Sequence, residues 1–247
     1  MLTVAHISDL HFSGEADHRA RVEAVLGHIS ARADGIDALV VTGDITDDGS
    51  PAQYEEAAAV LRGVPLPTTL LIPGNHDRRD EFGFGLFGRH THDMPLNRSA
   101  MIAGALFLMC DSTIPGRNDG YLSDDTLAWM DREITAVGQG VPVIVCFHHP
   151  PVVLGMPFMD SIRQTGEDRL VRLVEKHPGI VGFLCGHAHT GAVTSFAGRP
   201  VCLAPGVSST LNLSFEGTDV VDASQPPGLA FHQLDGWRLI THFRAVV

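Results

Sequence analysis

Short apolar runs alternate with amphipathic stretches through the first half of the chain. "LTVAHIS" (2–8), "IDALVVTGD" (36–44) and "TTLLIPG" (68–74) read as strands, and the stretches from Asp17 to about Ala33 and from Pro51 to about Leu61 read as helices between them. That rhythm predicts parallel strands joined by crossover helices. "SAMIAGALFLMCDS" predicts a hairpin turning at Ala103-Gly104, and Ser123 followed by two aspartates predicts the capped start of a helix reaching Val137.

The second half begins the same way and ends differently. "PVIVCFHHP" and "GIVGFLCGHAH" read as strands around a helix over 165–177, and "AVTSFAGRPVCLAP" and "GLAFHQLDGWRLITHFRAV" read as hairpins with Ala-Gly and Asp-Gly turns. Parallel strands followed by antiparallel ones imply an α/β protein with two packed sheets and helices outside. No linker divides residues 1–247, so a single domain is expected, with loop or cap segments at about 80–97 and 207–227, where neither period holds.

Composition narrows the function. Asp and Glu outnumber Lys and Arg by 29 to 17, for a net charge of −12, and no basic cluster is present, which argues against a long nucleic acid as partner. The opening "MLTVAHISDL" is too short and polar for a signal peptide, and no apolar run nears the ~18 residues of a membrane span. A cytoplasmic protein without a membrane partner is the expectation, and a homo-oligomer stays open. Cys110, Cys146, Cys185 and Cys202 each sit in an apolar run without CxxC spacing and are expected to be reduced core residues.

The chemistry sits where the strands stop. Asp9 and His11 follow the first strand, Asp44 the second, Asn75 and His76 the third, and His148 and then His187 and His189 two later ones. In open α/β sheets that end carries the ligand site. Asp, Asn and His without thiolate suit hard and borderline ions such as Mn, Fe, Co or Zn. Asp9, His11, Asp44, Asn75, His148, His187 and His189 are too many for one tetrahedral ion and suit two that share a bridge, for which Asp44 is the candidate.

In order and spacing, DLH (9–11), GD (43–44), GNHD (74–77), HH (148–149) and GHAH (186–189) resemble the calcineurin-like metallophosphoesterases. "HHPPVVLGMPFMDSI" and "GRNDGYLSDDTLAWMD" resemble the branch that contains class III cyclic nucleotide phosphodiesterases and bacterial glycerophosphodiesterases. The resemblance implies the metallo-dependent phosphatase fold, a four-layer αββα sandwich of two mixed β-sheets flanked by helices. It implies two divalent or trivalent ions, one held by Asp9, His11 and His189 and one by Asn75, His148 and His187, with Asp44 bridging them.

The implied activity is hydrolysis of small phosphodiesters, such as 3',5'-cyclic nucleotides like cAMP or glycerophosphodiesters, by a hydroxide bridging the metals. Two divalent ions against two carboxylates leave about +2 for hydroxide and substrate. The catalytic residues are then Asp44 and His76, His76 facing the phosphate and leaving oxygen, with Asp77 behind a histidine. Asn75, His76 and His149 are expected to contact substrate. The alternatives are a phosphomonoesterase or nuclease of the same fold and, further off, a non-catalytic metal-binding scaffold. Some relatives carry a His in the region that here reads "GVSSTLN" (206–212), which has none.

Overall fold

The computed structural model describes residues 1–247. One sheet has five strands in the order Arg238–Ala245, Gly228–Asp235, Leu2–Ile7, Ala38–Thr42 and Thr68–Ile72; the last three are parallel and the first two form an antiparallel hairpin beside them. The other has six, in the order Ala192–Phe196, Arg199–Leu203, Ile180–Cys185, Val143–Cys146, Ala105–Met109 and Arg98–Ile102, parallel except for its two edge strands. Both sheets are therefore mixed, as the resemblance implied.

The layers follow from which side chains each element buries. The helix Ala16–Ser30 turns Val22, Val25, Leu26 and Ile29 onto Ala5, Ile7, Leu39 and Val41 of the five-stranded sheet, and Pro51–Arg62 adds Tyr54, Ala57 and Val60. Helices Asp124–Val137 and Glu167–Lys176 cover the six-stranded sheet through Met130, Ile134, Leu170 and Val174. Ser123 Oγ accepts from Thr126 N at 3.1 Å, the predicted cap. The alternate faces of the two sheets meet through Val4, Val40, Leu70 and Ile72 on one side and Phe107, Ile144 and Leu184 on the other. All four cysteines are free and buried. No helix is long and apolar enough to cross a membrane.

Three segments depart from the expectation. Residues 80–97 are not all loop, because Arg79–Phe87 is a helix. The stretch 207–227 contains a two-stranded hairpin, Thr210–Leu211 with Val221–Asp222. A short helix, Pro157–Ser161, lies between the strand ending at Cys146 and the helix starting at Glu167.

His6 and His232 interrupt the apolar layer between the sheets, and both are fully buried. Burial and their mutual proximity hold His6 well below the usual imidazole value, and burial, with a smaller effect of His242, brings His232 to about 3. The folded state thus favours neutral rings, while the unfolded chain binds protons below about pH 6.5. Their stabilising contribution is complete above that pH and is lost as the pH falls toward the folded values, by about 1.4 kcal/mol per pH unit for each ring. Urea unfolding of metal-free protein between pH 7 and 5 should show a shallower pH dependence for a His6→Gln, His232→Gln double variant than for wild type. Identical slopes would contradict the assignment.

Candidate metal centre

Every candidate ligand lies at the carboxyl ends of the strands, where the two sheets meet. The turns after the first two inner strands run side by side, with Asp9 N donating to Gly43 O at 3.1 Å and His11 N to Asp44 O at 3.0 Å. Gly74 passes so close to Asp44 that a Cβ would overlap its carboxylate, which explains why Pro73 is followed by glycine. Asp9, His11, Asp44, His187 and His189 all have positive φ, between 46° and 71°. Such backbone costs an L-residue on the order of 1–3 kcal/mol and persists where the surroundings over-determine it, commonly at functional sites.

Two clusters result. His11 Nε2 lies 3.2 Å from His189 Nε2, and His189 Nε2 lies 3.6 Å from Asp9 Oδ1. In the other, His148 Nε2 lies 3.1 Å from His187 Nδ1 and 3.1 Å from Asn75 Oδ1. Asp44, 2% exposed, stands between them, with Oδ2 3.6 Å from His11 Nε2 and 3.3 Å from His148 Nε2. The resemblance implied this grouping, and the fold brings these side chains together.

The tautomers are set from behind. His148 Nδ1 donates to Thr42 O at 2.6 Å, His187 Nε2 to Ile162 O at 3.2 Å, and His189 Nδ1 faces Ser209 O and Oγ at 3.3 and 3.0 Å. His11 Nδ1 meets Asp47 Oδ1 at 3.1 Å. A carbonyl only accepts, so Nδ1 of His148 and Nε2 of His187 carry hydrogens, and their other nitrogens offer lone pairs to the centre. Of these supports only Asp47 has a sequence signal, as an acidic residue three positions after Asp44. Ser209 lies in the segment without the relatives' His, and here it steadies a candidate ligand.

The donor set suits cations. Two lone pairs at 3.1–3.2 Å repel unless a positive charge lies between them, and each cluster contains such a pair of ring nitrogens. Without metal, protons fill that role. Burial opposes charge on His148, but the Asp44 carboxylate overrides it and raises the ring to about 9, whereas burial and the neighbouring His148 drive His187 well below its usual value. His11 is likewise raised, against burial, by Asp47, Asp44 and Asp9, and His189 is lowered by burial. Asp44 is held well below the carboxylate range by His148 and His11 despite burial. Asp9 Oδ2 and His149 Nε2 are both buried without a hydrogen-bond partner, two unsatisfied groups within the site.

Two expected roles, those of His149 and Asp77, change. His149 is fully buried; its Nδ1 lies 2.8 Å from Ser112 Oγ and its ring packs on His148 and His187, so it lies among those rings and not at the open cleft. Asp77 orients no histidine. It accepts from the backbone of Ile45, Thr46 and Gly74 and from the hydroxyls of Thr46 and Tyr54, at 2.9–3.1 Å, and so fastens the turns after two strands. His90, whose spacing from His92 resembles a ligand pair, bonds Asp80 at 2.7 Å and stacks on Phe84. His76, by contrast, is exposed at the mouth; its Nδ1 donates to Asp47 O at 2.6 Å and its backbone N to Asp44 Oδ1 at 2.9 Å.

The calcineurin-like phosphoesterase family matches residues 2–191, which include every one of these positions. This chain belongs to that family. Across the chain it is 31% identical to the glycerophosphodiester phosphodiesterase GpdQ of Enterobacter lignolyticus, over 98% of this chain and 90% of that protein. It is 29% identical to the 3',5'-cyclic adenosine monophosphate phosphodiesterase CpdA of Pseudomonas aeruginosa, over 83% and 79% respectively. A dimetal phosphatase from Danio rerio shares the fold, with a TM-score of 0.75 at 15% identity, over all of this chain and 96% of that one. Calcineurin-like phosphoesterases use a dinuclear metal centre, and the two clusters fit one.

Proposed function

We propose that the chain, as one domain over residues 1–247, is a binuclear-metal phosphodiesterase acting on small phosphodiesters, 3',5'-cyclic nucleotides or glycerophosphodiesters. The observation that carries this reading is the Asp44 carboxylate, within 3.6 Å of a ring nitrogen in each cluster, where one group can serve two ions. Asp9, His11 and His189 would hold one ion and Asn75, His148 and His187 the other, and Mn, Fe, Zn and Co all suit such donors.

When bound, the ions supply an activated water for in-line attack on phosphorus and polarise the phosphoryl oxygens. The rest falls to the protein. His76, with Nδ1–H committed to Asp47 O, presents Nε2 to the open cleft. As an imidazolium the ring also carries a proton at Nε2, which can pass to the leaving oxygen as the P–O bond breaks and leave His76 neutral. Asp47 thus steadies two histidines, His76 by its carbonyl and His11 by its carboxylate. Asn75, half-buried beside the cleft, orients the phosphate. A cavity of about 360 Å³ adjoins Asn75, lined by Arg78 and Arg79, by Asp77, Glu81 and Asp93, and by residues 113–116, without an aromatic side chain, and its size suits a small organic group.

The test is a panel of cyclic nucleotides, glycerophosphodiesters, bis(p-nitrophenyl) phosphate and phosphomonoesters, each with Mn, Co, Zn and Fe. Turnover of diesters above monoesters is expected. Preference for monoesters, or no metal-dependent hydrolysis at all, would overturn the reading.

A further inference from the structure

Five polar side chains join end to end in the otherwise apolar layer between the sheets. Cys202 Sγ lies 3.3 Å from Thr241 Oγ1, which lies 2.9 Å from His232 Nδ1. His232 Nε2 meets His6 Nδ1 at 3.0 Å, and His6 Nε2 meets Thr42 Oγ1 at 2.9 Å. The chain runs inward from half-buried Thr241 and ends beneath the metal centre, because the Thr42 carbonyl accepts His148 Nδ1–H at 2.6 Å. Nothing in it touches the supports of the other cluster, Asp47 behind His11 and Ser209 behind His189.

We propose that His6, backed by His232, is a positioning residue for one metal position only, that of Asn75, His148 and His187. Thr42 is the last residue of its strand, and Gly43 follows with φ of 96°. A glycine restrains the intervening peptide little, so the direction of the Thr42 carbonyl depends on what fixes Thr42. The His6 bond to its hydroxyl holds Thr42 from the side chain, Ser8 Oγ donates to the carbonyl itself at 3.1 Å, and the carbonyl in turn aims the His148 ring. Each imidazole in the chain donates at one nitrogen and accepts at the other, which requires both to be neutral, as burial keeps them. Stability alone does not account for the pair, since well-packed apolar side chains of similar shape can be nearly as stable there.

This inference rests on the reading of His148 as a metal ligand, and the experiment separates the two. Mn²⁺ is titrated calorimetrically into metal-stripped protein, with His187→Ala identifying the binding class that belongs to the His148 position. Groups that orient a metal-ligating histidine typically contribute 10–100-fold to affinity. His6→Phe should therefore weaken the class lost in His187→Ala by about tenfold and the other class by less than about twofold, while His6→Gln, which can still bond Thr42, restores most of the loss. Thr42→Val, which removes only the hydroxyl, should reproduce the asymmetry and stands in should His6→Phe fail to fold. Equal weakening of both classes, or of neither, in a folded variant overturns the inference. A wild-type chain that takes up fewer than two ions overturns the reading of the site as well.

Discussion

Asp44→Asn should lower phosphodiesterase kcat by about three orders of magnitude or more, and the variant should retain fewer than two ions per chain. The exchange preserves shape and removes the one charge that both clusters share. In the folded protein that carboxylate lies 3.6 Å from His11 Nε2 and 3.3 Å from His148 Nε2, and the backbone N–H of His76 already occupies its second oxygen. An amide offers one weaker acceptor oxygen and cannot serve two cations. Lewis-acid stabilisation by the ions is worth several kcal/mol, and each 1.36 kcal/mol is tenfold in rate. Metal analysis of the purified variant beside its steady-state kinetics checks both parts. A variant with two ions and near-normal kcat would remove Asp44 from the bridge.

His76→Ala should lower kcat by roughly 100-fold or more with the metal content unchanged. The side chain touches neither cluster as a ligand. It is exposed, anchored through Nδ1 to Asp47 O and edge-on to the His11 ring, with centroids 4.7 Å apart. Its free Nε2 matters most when the leaving alcohol is a poor one, so the loss should be larger for glycerol or ribose leaving groups than for p-nitrophenol. Kinetics on matched alkyl and p-nitrophenyl diesters, with metal analysis of the same samples, decide this. Equal losses would restrict His76 to holding the phosphate.

The strand ends were legible because Asp, His and Asn cannot lie unpartnered in a core, so their recurrence after five apolar runs had to mean a shared site. Apart from Asp47 their supports were not, because Thr42 and Ile162 act through backbone carbonyls, which every residue possesses, and Ser209 lies in a segment whose fold the local pattern did not give. The positive φ at five of the ligands is likewise invisible in residues other than glycine. His149 shows the converse, since the HH pair gave no sign of which ring would face the metals. The helix Arg79–Phe87 was missed because Gly83 and Gly85 lower its intrinsic propensity. In the fold a Cβ at Gly85 would come within 2.6 Å of Tyr54, so close helix packing accounts for a glycine the local sequence could not justify.

Two ions should lie on either side of Asp44, and anomalous diffraction from crystals of fully metallated protein locates them. Two peaks about 3.5 Å apart are expected, one nearest Asp9, His11 and His189 and one nearest Asn75, His148 and His187, with Asp44 between them. A single peak, or a second one away from Asp44, would contradict that placement.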